Sequence, residues 1–203
     1  MPARPTEPIT GDEFARIMAR LDKRKREHVR VGALLVALRL GLRRGEIIAL
    51  QLRDVIEVDG SICFSVRTLK QRQGKRPFRV VPISDAGAAR LLRNYIEREF
   101  GRNPEPEAVL FRTLGKHGQC RVGGLTPRAV NYWVKRLSRL AGINKRVSAH
   151  SFRHGCATDL LRAGADLRTV QAVMGHASIA STSHYLHTSH ELCVEAVGRI
   201  QFA

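Results

Sequence analysis

A mainly helical α+β fold with a small three-stranded antiparallel sheet is predicted by three features of this 203-residue chain. Long stretches place apolar residues at helical spacing, among them Val31, Leu34, Leu35 and Leu38. Between residues 55 and 83 the period shortens to alternation around the turn pair Asp59-Gly60, the pattern of strands joined by a hairpin. Start and stop signals punctuate the helices: Thr10 with Glu13 as a capping box, Thr126 followed by Pro127, and Gly142, Gly164 and Gly175 as terminators.

Taken in order, the capping box opens a helix expected to run to about Glu27. His28 to Leu40 is a core helix, Gly41 allows a sharp turn, and Arg44 to Gln51 forms a short helix with Ile47, Ile48 and Leu50 inward. Val55 to Val58, Ile62 to Leu69 and Phe78 to Ile83 are strands; the polar segment from Gln71 to Arg76, with Gly74, is the second hairpin loop. Ser84 is the expected N-cap of a helix reaching about Phe100, and Gly101 to Glu107 and Gly115 to Gly124 are expected loops. Helices follow from Thr126 to Gly142, Ser148 to Ala163 and Asp166 to Met174, with short ones from Ser178 and Ser189. Residues 1–9, containing Pro5 and Pro8, read as a linker or disordered lead-in, and 10–203 as one domain.

Composition narrows the class. A hydrophobic fraction of 43% and a charged fraction of 26% are ordinary for a soluble globular protein. Aromatics are only 5%, so Leu, Val, Ile and Ala must build most of the core. The longest apolar run, Val31 to Leu40, is broken by Arg39 and falls short of the roughly 18–20 residues of a membrane span, so no membrane partner is expected. Cys63, Cys120, Cys156 and Cys193 are widely spaced, without the pairing of zinc motifs, and fit free thiols of a cytoplasmic protein.

Charge supplies the first functional clue. Thirty-five Lys and Arg against 18 Asp and Glu give a net charge of +17, which calls for a polyanionic partner. From Ala108 to Thr158 no acidic residue occurs, while Arg112, Lys116, Arg121, Arg128, Lys135, Arg136, Arg139, Lys145, Arg146 and Arg153 all do. A second acid-free cluster comprises Arg67, Lys70, Arg72, Lys75, Arg76 and Arg79. Solvated faces ordinarily mix both signs, so such one-sided clusters point to phosphate contacts.

Four local patterns can carry chemistry. Gly41-Leu42-Arg43-Arg44-Gly45-Glu46 sets Arg43 at a helix start; Lys70 ends an apolar strand at the mouth of a basic hairpin. His150 and Arg153 share a helical face at i, i+3, and Gly175-His176 is followed nine residues later by Tyr185. In order and spacing these boxes resemble the active-site motifs of the tyrosine recombinase (phage integrase) family. The resemblance extends from Thr10 to His187.

The resemblance implies the fold of that family's catalytic domain and a site of Arg43, Lys70, His150, Arg153, His176 and Tyr185. Transfer of a DNA phosphodiester needs a nucleophile, stabilisation of charge on the phosphate oxygens, and a proton for the leaving oxygen. Arg43 and Arg153 suit the second task, because guanidinium forks match phosphate oxygens and stay charged. By the resemblance, Tyr185 attacks to give a 3′-phosphotyrosine, His176 adds a hydrogen bond, Lys70 protonates the 5′-oxygen, and His150 handles the tyrosine proton. Lys75 is the alternative hairpin lysine, because the family commonly places that lysine several residues before the Pro of a Val-Pro or Ile-Pro pair, and Pro82 lies twelve residues after Lys70 and seven after Lys75. Glu46 is read as orienting an active-site group, and Tyr95 and Tyr132 as buried structural tyrosines.

No metal or nucleotide cofactor is implied. The implied partner is double-stranded DNA, with a homotetramer on synapsed DNA, a monomer when free, and association with the nucleoid. The processes implied are DNA integration and recombination, of the kind carried by a mobile genetic element. Relatives carry a DNA-clamping domain before the catalytic one, which is expected to be absent here. Residues 189–200 could form an amphipathic helix, docking either on a neighbouring subunit or on its own domain. Two other readings remain: relaxation of supercoils in the manner of a type IB topoisomerase, and a non-catalytic DNA-binding regulator with the same fold.

Overall fold

The structure, a computed structural model, describes residues 7–67, 78–114 and 120–175. The Thr10 capping box forms as expected: the Thr10 hydroxyl accepts the Glu13 N–H at 3.2 Å and the Glu13 carboxylate accepts the Thr10 N–H at 2.9 Å. Helix α1 (Gly11–Met18) nevertheless stops well short of Glu27. Asp22 sets up a local turn, its carboxylate accepting the Arg24 N–H at 3.0 Å while its own N–H donates to His28 Nδ1 at 2.8 Å. These bonds replace the helical ladder there.

Helix α2 (Arg26–Arg39) is the centre of the domain, with every residue from Val29 to Leu38 buried. A helix segment enclosed on all sides must be apolar all round, and from Val29 to Leu38 this one is except at Arg30. Arg30, 4% exposed, pairs through Nη2 with Glu99 of α4 (Ala86–Phe100), which also accepts from Arg26 at 2.7 Å. The N-cap of α4 is Asp85, one residue beyond the expected Ser84; its carboxylate accepts the Ala88 N–H at 2.7 Å.

The expected three-stranded sheet is present as β1 (Val55–Val58), β2 (Ser61–Arg67) and β3 (Phe78–Pro82), antiparallel in that order. Ile62, Phe64, Val66 and Val81 are buried against the helices. Because side chains alternate along a strand, Arg79 shares the face of Val81 and turns inward.

A second, two-stranded sheet pairs β4 (Arg112–Leu114) with β5 (Cys120–Gly124), which corrects the expectation of a loop to Gly124. Gly123 and Gly124 suggest a loop, yet their backbone completes a hairpin with Arg112, and the Thr113 hydroxyl donates to the Gly124 carbonyl at 2.7 Å.

Helix α5 (Pro127–Leu140) begins at the Thr126 cap and buries Val130, Val134 and Leu137. Tyr132 lies on its opposite face and is 54% exposed, so it is not the buried structural tyrosine expected. Its hydroxyl accepts from Arg136 at 3.0 Å. Tyr95 does fill that role, fully buried and donating to the Leu110 carbonyl. Helices α6 (Ala149–Arg162) and α7 (Leu167–Met174) complete the described fold. Ile9, placed by sequence in the lead-in, is buried, and its N–H donates to the Ser151 carbonyl at 3.0 Å. Gly155 makes that approach possible, since a Cβ there would lie 2.1 Å from the Ile9 oxygen.

Candidate active site

Three short elements set the site: the turn into α3 (Arg44–Ala49), the first turns of α6, and the C-terminus of α7. Gly41, at φ +82, makes the first turn, and a Cβ on it would meet the Met174 sulfur at 2.7 Å. The turn leaves Arg43 extended at the N-cap of α3, where Glu46 accepts its N–H at 2.7 Å and its Nη1 at 2.8 Å. One carboxylate therefore fixes both the backbone and the side chain of Arg43.

Arg153 lies on the inward face of α6 and is 4% exposed. It donates to the Gly41 carbonyl and, at 2.6 Å, to that of Met174. Arg43 donates to the Gly175 carbonyl at 2.9 Å, and Arg79, from β3, donates through Nε to that of Val173 at 2.9 Å. Three arginines from three elements thus converge on three consecutive carbonyls. Such carbonyls at a helix end lack intrahelical partners and carry the negative end of the helix dipole, so they hold cations without neutralising them.

Arg79 also closes a fork on Glu46, with Nη1 at 3.0 Å from Oε1 and Nη2 at 2.7 Å from Oε2. Burial alone would push the Glu46 carboxyl up. The hydrogen bonds and charge of Arg79, with the Arg43 N–H and side chain, outweigh it and hold the group below the usual carboxylate range.

His150, one helical turn before Arg153, is exposed at the rim. Partial withdrawal from water, then the positive charges of Arg153 and His154, lower its pKa. The imidazole is therefore kept neutral, and able to accept a proton, over a wider range of pH. A cleft of about 310 Å³ is lined by Arg43, Arg44, Asn131, Ser148, His150 and Arg153.

The fold thus brings Arg43, His150 and Arg153, far apart in sequence, to one cleft. Lys70, Lys75, His176 and Tyr185 lie outside the described residues, as do the helices expected from Ser178 and Ser189. His176 directly follows the carbonyl held by Arg43. Charge pattern alone groups Arg79 with the phosphate-facing cluster. The available signal for its inward turn is its even spacing from Val81 in an alternating strand.

The chain belongs to the phage integrase family, whose model matches residues 7–191. Among its relatives, the tyrosine recombinase XerD of Caulobacter vibrioides is 34% identical over 154 residues, covering 74% of this chain and 47% of that protein. The tyrosine recombinase XerC of Chlamydia caviae is 30% identical over 195 residues, covering 95% of this chain and 58% of that protein. The crystal structure of XerA recombinase superposes with a TM-score of 0.74 at 25% identity, covering 100% of this chain and 66% of that one. The chain spans about half the length of the curated relatives it matches.

Proposed function

We propose that this chain is the strand-transferring part of a site-specific DNA recombinase. The observation that carries the reading is the convergence of Arg43 and Arg153 on adjacent carbonyls beside His150, immediately before His176, which Tyr185 follows nine residues later.

In this reading the two guanidinium groups hold the non-bridging oxygens of the scissile phosphate and stabilise the charge that develops on them. The Tyr185 oxygen attacks phosphorus, the bond to the 5′-oxygen breaks, and a 3′-phosphotyrosine forms. His150 takes the tyrosine proton, Lys70 (or Lys75) supplies one to the 5′-oxygen, and His176 donates a hydrogen bond to the phosphate. Attack by a 5′-hydroxyl of a second duplex reverses the step and completes exchange, with no net change in the number of phosphodiester bonds. None of these steps calls on a metal or nucleotide cofactor.

Duplex DNA is the partner that the charge suits. Arg128, Lys135, Arg136 and Arg139 project from α5 and are exposed, as is Arg146. The functional assembly in this reading is a tetramer on two synapsed duplexes, formed from monomers in the cytoplasm.

The test is a covalent adduct. Incubation with a pool of random-sequence duplexes, followed by denaturing electrophoresis, should yield a protease-sensitive protein–DNA species with the wild type and none with Tyr185→Phe, while non-covalent binding persists in both. An adduct that survives in Tyr185→Phe overturns the assignment of the nucleophile. Binding without any adduct would favour the DNA-binding regulator.

A further inference from the structure

Glu46 is shared evenly between two arginines. Its Oε1 accepts from Arg43 Nη1 at 2.8 Å and from Arg79 Nη1 at 3.0 Å; its Oε2 accepts the Arg43 N–H and Arg79 Nη2, each at 2.7 Å. The two cations differ in setting. The Arg43 side chain is 38% exposed at the cleft, whereas that of Arg79 is 9% exposed and that of Glu46 is fully covered. Arg79 commits both Nη groups to the Glu46 carboxylate, whereas those of Arg153 donate to neutral carbonyls. The Arg79 Nε is occupied by the Val173 carbonyl at 2.9 Å.

A single arginine facing a buried carboxylate is neutralised by it, and its pull on a phosphate is correspondingly weakened. With two arginines on one carboxylate, the cluster keeps one positive charge. The buried member satisfies Glu46, and the exposed member retains its charge for the ligand.

We infer that Arg79 is a positioning residue for the transfer reaction: it neutralises Glu46 so that Arg43, held by the same carboxylate, remains cationic toward the scissile phosphate. The inference rests on the proposed function. Gly175 is part of the arrangement, because a Cβ there would lie 2.7 Å from Arg79 Nη1 and 2.9 Å from its Cζ. The left-handed backbone of Gly175, at φ +62, also gives the Arg43-binding carbonyl its direction.

The test uses the full chain and a nicked duplex of the sequence enriched through the wild-type adduct, with single-turnover cleavage and DNA affinity measured separately. Arg79→Met should slow cleavage by about tenfold to a hundredfold, a fraction of what removing a direct phosphate donor does, with affinity within about twofold. Arg79→Lys keeps a charge against Glu46 but gives up the fork, so its rate should fall between those of Arg79→Met and the wild type, which also serves if the methionine variant folds poorly. The decisive variant is Arg79→Met with Glu46→Gln. Removing the uncompensated carboxylate should recover about tenfold of the rate, a coupling that a purely structural role does not produce.

Additive effects in that double variant, or a wild-type rate in Arg79→Met, overturn the inference while the recombinase reading stands. A wild type that forms no adduct overturns the recombinase reading and the inference with it.

Discussion

Arg43 and Arg153 donate to adjacent carbonyls, those of Gly175 and Met174, although one arginine starts α3 and the other lies in α6. The C-terminus of α7 is therefore the gauge that sets the spacing of the two guanidinium groups. Anything that moves this helix end moves both together.

Glu46→Gln should destabilise the fold by about 3–5 kcal/mol at neutral pH, because it leaves the covered Arg79 without its counter-charge. The Glu46 carboxyl titrates below its ordinary 4.5 in the folded chain, so its stabilisation is fully present above that value and disappears as pH falls through the folded pKa. Denaturant unfolding of both proteins should show a gap at pH 7 that narrows below about pH 4.5. A gap independent of pH would contradict the ion-pair account.

Gly175→Ala should cost about 1–2 kcal/mol from the left-handed backbone alone, and more if Arg79 must leave its partners. Thermal unfolding checks this. The cost should shrink in an Arg79→Met background, where the guanidinium that a Cβ would strike is gone. An equal cost in both backgrounds would assign the whole effect to φ.

His150 bears on the pH dependence of cleavage. Because its pKa is lowered, the acid limb of the rate profile should have its midpoint below the ordinary 6.5. His154→Gln removes one of the positive neighbours and should move that midpoint upward. A midpoint above 6.5 in the wild type, or no movement in the variant, would remove His150 from the role of base.

DNA affinity should fall with salt, and the slope of log affinity against log salt should become shallower by about 0.9 for each phosphate the protein no longer neutralises. Arg136→Gln and Arg139→Gln on α5 are the direct test by fluorescence anisotropy. A slope unchanged in both would place the DNA on another face.

Much of this fold can be read from local chemistry. The Thr10 and Thr126 caps, the Asp59-Gly60 turn and the glycine stops at Gly142 and Gly175 each depend on a few adjacent residues, and each lies where the pattern puts it. Sequence and structure part where tertiary pairing decides. The β4–β5 hairpin hides behind glycines, and the outward Tyr132 can be assigned only with the buried face of α5 in view.

The same limit applies to the charges. Arg128 and Arg153 look alike in an acid-free stretch, yet one is exposed on α5 and the other is buried against Gly41 and Met174. Lys145, in the same stretch, is turned to Glu13 at 2.7 Å. Motif spacing distinguishes Arg43, His150 and Arg153 from their basic neighbours. It does not identify Arg79, whose partners Glu46 and Val173 lie in distant segments.

The most direct test of the central claim is the identity of the residue that carries the DNA. The adduct would be digested with nuclease and trypsin and the modified peptide sequenced by mass spectrometry. A nucleotide phosphate on Tyr185, within the tryptic peptide spanning residues 169–199, is the predicted result. A label on Tyr132, on a serine or on a histidine would contradict the account.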